Sequence, residues 1–384
     1  MHRISETPEI IMKHSSVIIL GSALIGLVVT ACSQPQPTPR EALIQRLQDL
    51  QQRGCMFGHQ DDPFYGIGWA YEPNRSDILE TCGDYPAVMG FDLGGIEMGD
   101  SKNLDSVPFD RMRSEIIAHH LRGGIVTISW HPRNPLTALE HLGTWPEGSA
   151  WEATDGSVEA ILPGGVKHEL FLTWLERVRV FLLSLRTDDN QPVPFIFRPW
   201  HENNGAWFWW GNTHCTPEQY RALYRLTQDH LTTQRSNSDS SLSTNVVWSY
   251  SPNLDGNMSE DSFLQWYPGD ERIDLVGLDA YQWGTEEDFV RQTRADLAML
   301  CRFGDSHHKL VALTECGYRS VPDPGWWDRV LLPVLCDYPL SYALVWRNAE
   351  GGEHFGPVPG SESAEHFRMF HAAPRTLFLK DIAK

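Results

Sequence analysis

Glu202 and Glu315 have the residue type and the placement for paired acid–base and nucleophilic chemistry. Each stands at or just beyond the end of a short apolar run, Glu202 after residues 195–200 and Glu315 after residues 310–314. Two carboxyls flanking a glycosidic bond can break it. One must be protonated, to donate to the leaving oxygen, and the other ionised, to attack or stabilise the anomeric carbon. A separation of about 5–5.5 Å would give retention of configuration and a clearly wider gap inversion. Either glutamate taken alone reads as readily as a helix cap or an arginine partner, so the elements that position them decide the matter.

Eight brief runs rich in β-branched and aromatic residues recur along the chain: 55–58, 87–91, 125–130, 195–200, 246–250, 275–278, 310–314 and 342–346. They have the character of buried parallel strands. Amphipathic stretches with helix start signals separate them. Residues 167–186 keep a 3.6-residue apolar period, Thr216-Pro217-Glu218-Gln219 spells a capping box, and Thr285 precedes three acids. Eight such alternations predict the α/β class, as a single (β/α)8 TIM barrel over residues 41–384 rather than a doubly wound sheet. In a barrel, function gathers where strands end. Strands four and seven face each other across the opening, so their glutamates can approach a bound sugar from two sides. The segment 132–165 is too long for a simple connection and is expected to wall the site.

Other candidates carry blander readings. Asp61-Asp62 lacks a nearby His or Cys to complete a metal set, so no metal and no cofactor is expected. His59 reads equally as a hydrogen-bonded core histidine. His307-His308 precede strand seven, at the opposite end of the barrel, and are expected in solvated loop. Cys316 follows Glu315 without an evident base and is read as packing. The formal net charge of −19 repels nucleic acid and anionic membrane surfaces but does not penalise a neutral substrate. The 15 tryptophans suit the apolar faces of sugar rings, and suit a core as well.

The N-terminus reads as a lipoprotein-type signal peptide, residues 1–31, with Lys13 and His14 before the apolar run 17–31. The run closes on Val29-Thr30-Ala31-Cys32, which resembles a bacterial lipobox and makes Cys32 the expected lipidation site. The rival is an ordinary signal peptide with a chance cysteine. Met12-Lys13 is a more natural start than Met1. Residues 32–40 read as a flexible spacer. The expected location is therefore the bacterial cell envelope, with a lipid anchor in its membrane. Cys55, Cys82, Cys215, Cys301, Cys316 and Cys336 are expected mostly as buried thiols, with one bridge allowed by export.

Residues 197–211 (FRPWHENNGAWFWWG) closely resemble the acid/base signature of glycoside hydrolase family 26, largely β-mannanases. Gly58-His59-Gln60, Ser129-Trp130-His131-Pro132, Gly277-Leu278-Asp279-Ala280-Tyr281, Leu313-Thr314-Glu315 and Val345-Trp346-Arg347-Asn348 match that family in order. The resemblance spans roughly residues 45–370 and implies a retaining (β/α)8 enzyme. It implies Glu202 as general acid/base and Glu315 as nucleophile, with Arg198 and His201 beside them. Tyr281 would orient the nucleophile and Asp279 hold that region in shape. His131, Trp207 and Trp346 would bind sugar at the cleavage point, Arg347 farther away, and His59 and Tyr65 in the same cleft. The implied substrate is β-1,4-mannan or its oligosaccharides, cut internally or released as mannobiose, by a monomer. Two alternatives stay open: a mixed-linkage glucan as substrate, and a glycan-binding lipoprotein without catalysis. The presence of both glutamates and Tyr281 argues against the second.

Overall fold

The structure, a computed structural model, describes residues 36–140, 146–234, 242–349 and 353–383. The expected signal peptide, Cys32 and the expected spacer through residue 35 lie outside the described residues.

Eight parallel strands form the framework: β1 (Cys55–Gln60), β2 (Val88–Asp92), β3 (Ile125–Trp130), β4 (Phe195–Pro199), β5 (Val246–Tyr250), β6 (Leu275–Tyr281), β7 (Leu310–Gly317) and β8 (Tyr342–Val345). Each pairs with the next, and β8 returns to β1 with Met56 opposite Tyr342 and His59 opposite Val345. The sheet is closed, as the alternation of elements predicted. Helices cover it outside, among them α1 (Pro39–Arg53), α2 (His168–Leu183), α3 (Pro217–Thr232) and α4 (Glu286–His307).

The start signals work as read. Thr216 accepts from Gln219 N while Gln219 bonds back to Thr216 N, and Thr285 accepts from Asp288 N. Helix α1 has its own capping box, Thr38 with Glu41, and begins at Pro39. The spacer therefore ends earlier than residue 40. Along α1, Leu43, Leu47 and Leu50 recur on one face and join a cluster with Met56, Val88, Ile196, Val247 and Leu310. That cluster fills the barrel interior and leaves only the opposite rim for chemistry.

Strands β6 and β7 run farther than their apolar runs suggested. Between them the register slips: Leu278 lies opposite Leu313, but Asp279 lies opposite Glu315. The β8 pairing slips over the same stretch, from Ala343 opposite Leu313 to Val345 opposite Cys316. Strand β7 thus carries one extra residue. Strict alternation would aim Thr314 inward and Glu315 outward among the helices. The bulge lets both consecutive side chains reach the interior, where Thr314 bonds Asp279 and Glu315 bonds Arg198.

Two expectations are corrected. All six cysteines among the described residues are free thiols, so the allowed bridge does not form. Only Cys55 and Cys316 are fully buried, and Cys336 is exposed. His307 is not a solvated loop residue: it ends α4, stacks on Phe303 at 3.9 Å between ring centroids and meets Asp270 at 2.9 Å. The segment after β3 holds a short helix, Ser157–Ile161, though residues 141–145 lie outside the described residues.

Candidate active site

The turn after β4 is bent by two non-glycine residues in the left-handed region, Trp200 (φ 58°) and Glu202 (φ 53°). Each costs on the order of 1 kcal/mol and must be held by its surroundings. The Trp200 ring is buried and donates to Thr227, and Tyr220 donates to the Trp200 carbonyl at 2.6 Å. Trp210 donates to the His201 carbonyl at 2.8 Å, and Glu202 N donates to the Ser251 carbonyl at 2.8 Å. The aromatic-rich signature is thus first a scaffold. Trp200, Trp209 and Trp210 are wholly buried and lock the bend that turns Glu202 toward the opening.

Glu315 sits in a polar fork. Arg198 donates through Nη2 to one of its oxygens and through Nη1 to Asp279 at 2.8 Å and to Ser251 at 3.2 Å. The Tyr281 hydroxyl donates to the other Glu315 oxygen at 2.7 Å. Asp279 also accepts from Thr314 at 2.6 Å. Burial pushes the Asp279 carboxyl up to about 7, and Arg198 pulls against that rise.

Glu202 has a different setting. Burial first, then the charges of Asp279 and Glu315, push its carboxyl well above the usual range. Trp207 donates to Glu202 at 2.7 Å and opposes the rise. Trp207 therefore works against the effect of burial on Glu202. Its ring is 39% exposed, and the burial comes from the rest of the pocket.

His131 is held by a residue that the sequence reading passed over. Asp92 ends β2, is fully buried, and accepts from Ser129 at 2.6 Å and from Gly94 N at 2.7 Å. It meets His131 Nδ1 at 2.6 Å. Burial alone would lower the His131 pKa, but the Asp92 charge and hydrogen bond raise it. The far nitrogen of His131 lies 2.9 Å from His201 Nε2. Burial, followed by the charges of Arg198 and His131, holds His201 well below the ordinary histidine value. Of the two rings, His131 is therefore the one whose surroundings favour the proton, and His201 the one whose surroundings oppose it.

Both glutamates open into one cavity of about 490 Å³. Of the expected residues, His131, Glu202, Trp207, Tyr281, Glu315 and Trp346 line it. Arg198, His201 and Asp279 do not; they are buried behind its wall and hold Glu315 or His131 in place. His59 and Tyr65, expected in the cleft, are also outside the lining. His59 is buried against Asp62 at 2.9 Å, and the Tyr65 hydroxyl donates to Asp61 at 2.6 Å. Arg347 pairs with Asp105 at 2.9 Å and does not reach this cavity. Among the described residues no group of three or more His, Cys, Asp or Glu is arranged to hold a metal ion. Trp151, Phe208, Asn253, Trp283, Glu353 and Phe355 complete the lining and were missed. Trp151 and Phe208 had a signal: one lies in the long segment after β3 and the other within the β4 signature.

A closed parallel barrel that carries two glutamates at opposed strand ends, one forked by arginine and tyrosine and one dry, has the architecture of a barrel glycoside hydrolase. The chain matches the family model for glycosyl hydrolase family 26 over residues 32–317, and it belongs to that family. It is 29% identical over 359 residues to a mannan endo-1,4-β-mannosidase from Bifidobacterium adolescentis. That match covers 88% of this chain but spans only 34% of the relative's length. Among solved structures it is similar to a GH26 β-mannanase from Bacteroides ovatus, with 41% identity, a TM-score of 0.83, and coverage of 91% of this chain and 98% of that one. A modular endo-β-1,4-mannanase from Cellulomonas fimi matches with 30% identity and a TM-score of 0.77, over 90% of this chain and 76% of that one.

Proposed function

We propose that the protein hydrolyses β-1,4-mannosidic bonds in mannan, glucomannan, galactomannan or their oligosaccharides, with retention of configuration, by internal cleavage or mannobiose release. The observation that carries this reading is the unequal setting of two carboxyls in one cavity. Glu315, fixed between Arg198 and Tyr281, acts as nucleophile. Glu202, whose pKa is raised by burial and neighbouring negative charge, acts as the acid that protonates the leaving oxygen and then as the base that activates water. His131, Trp207 and Trp346 line the cavity and bind the sugar at the cleavage point, with Arg347 serving a more distant position. The relatives' names support mannan as the substrate.

Glu315→Ala should abolish turnover of every β-mannoside; substantial residual activity would sink the nucleophile assignment. Glu202→Ala should spare aryl β-mannosides with good leaving groups far more than mannan, because only a poor leaving group needs the proton. Equal losses on both would contradict the acid role. Running mixed-linkage glucan beside mannan tests the substrate class.

We further propose that Cys32 carries a lipid anchor to a bacterial envelope membrane, on the strength of the Val29-Thr30-Ala31-Cys32 sequence. Labelled palmitate should enter the wild-type chain in a bacterial host and not the Cys32→Ala variant. Equal labelling of both would overturn the proposal.

A further inference from the structure

A second cavity, of about 360 Å³, adjoins the first and shares Asn253, Tyr281 and Trp283 with it. Trp283 is 70% exposed and lines both cavities. It is nonetheless firmly placed. Gln282 N donates to the Gly317 carbonyl at 2.9 Å, and the buried Gln282 side chain accepts from Trp326 Nε1 at 2.8 Å. That anchor sits between Tyr281 and Trp283, which both face the cavities and stack at 5.7 Å between centroids, 27° from parallel. The stack rests on the residue that holds Glu315. Asp288 and Gln292 add polar groups to the lining of the second cavity. An exposed, rigid indole beside amide and carboxylate groups suits a neutral pyranose ring, which offers an apolar C–H face and hydroxyls at its edge.

The wall shared by the two cavities belongs to the acid. Glu202 N donates to the Ser251 carbonyl, Asn204 Nδ2 donates to the Asn253 carbonyl at 2.7 Å, and Asn253 N donates back to Asn204 Oδ1 at 2.7 Å. The Glu202 turn and Asn253 therefore form one unit, and Asn253 continues into the second cavity. The departing half of the substrate lies on the side of the group that protonates it.

We infer that Trp283 and the second cavity bind the sugar on the leaving-group side of the scissile bond. This rests on Glu202 being the acid. Trp283 is a specificity-determining residue here, since it rewards substrates that carry a sugar in that position and does nothing for those that do not.

The test compares mannotetraose with a nitrophenyl β-mannobioside, whose leaving group puts no sugar beyond the bond. For Trp283→Ala, the loss in kcat/KM on mannotetraose should exceed the loss on the aryl substrate by about five- to tenfold, the scale of one aromatic contact. Trp283→Phe should recover most of the difference. Equal losses on the two substrates would mean that Trp283 only props Tyr281, and would overturn the inference. So would a greater loss on the aryl substrate, which would move the ring to the other side of the bond. A wild-type enzyme that turns over neither substrate would overturn the mannanase reading itself.

Discussion

Tyr281→Phe removes a single hydroxyl and with it one hydrogen bond, 2.7 Å to Glu315, while Arg198 stays on the other oxygen. In a double displacement the carboxylate attacks in the first step and departs in the second. A donor on that carboxylate steadies its charged form. It therefore aims the attack without driving it, and it stabilises the carboxylate as the glycosyl ester breaks. Burial first, and the Glu315 charge second, hold the Tyr281 hydroxyl well above its ordinary pKa, so it remains a neutral donor across the working range. A hydrogen bond to a charged acceptor contributes about 1.5–3 kcal/mol. That converts to roughly 10- to 150-fold in the step that needs the charge. The variant should slow breakdown of the glycosyl-enzyme more than its formation. Stopped-flow with dinitrophenyl β-mannobioside should show a burst of phenolate equal to the enzyme concentration, then a slow steady rate. Wild-type kcat with no burst would refute the reasoning. A lowered rate matched by a fall in Tm would assign the effect to structure.

Two further perturbations follow from the same geometry. Trp207→Phe removes the donor that opposes the rise of the Glu202 pKa, so the acid form should persist to higher pH. The protonated form is the active one, so the alkaline limb of kcat/KM should move upward, and a limb that stays or falls would contradict the Glu202 assignment. Asp92→Asn breaks the buried pair with His131, at a cost of about 3–5 kcal/mol. Burial would raise the Asp92 pKa, but His131 and the other donors hold it low, so the aspartate's share of stability is lost as pH falls through that depressed value. The His131 pKa is raised, so its share is lost as pH rises through that value. The wild type's advantage in urea unfolding should therefore be greatest between about pH 4 and 6.5, the unfolded values of the two groups. Equal stability at pH 5.5 would show that the pair carries no weight.

The barrel was legible because its strands are buried on both faces and run as unbroken apolar stretches, which a chain cannot hide. The direction of side chains at strand ends was less so. Nothing in Leu313-Thr314-Glu315 announces that two consecutive residues face inward, since a bulge depends on the neighbouring strands and not on local pattern. Asp92 was missed for a related reason. One aspartate after an apolar run reads as a turn residue, and its partner His131 stands just past the end of the next strand. Trp283 and Phe355 lie in connections, where no periodicity gives a direction. His59 and Tyr65 were placed in the cleft because they sit near the right rim. Their partners Asp62 and Asp61 were visible in the same stretch, yet sequence alone does not distinguish a carboxylate that binds substrate from one that satisfies a buried neighbour.

The unequal roles proposed for the two glutamates follow from counting charge around Arg198. Three buried carboxyls, Glu202, Asp279 and Glu315, share one guanidinium. His201 cannot supply a second cation, because burial and its cationic neighbours hold it neutral. His131, the nearest candidate, is already committed to Asp92. An interior with more acids than cations relieves the excess by retaining a proton. Arg198 donates directly to Asp279 and Glu315, while the donor recorded on the Glu202 carboxyl among the described residues is the neutral Trp207 N–H. The proton therefore belongs on Glu202. The left-handed bend at Trp200 and Glu202 and the bulge at Thr314 are the backbone conditions for that outcome. One keeps Glu202 beyond the reach of the guanidinium fork, and the other brings Glu315 into it. On this argument, straightening either strand end would cost the enzyme its distinction between acid and nucleophile before it cost the barrel its stability.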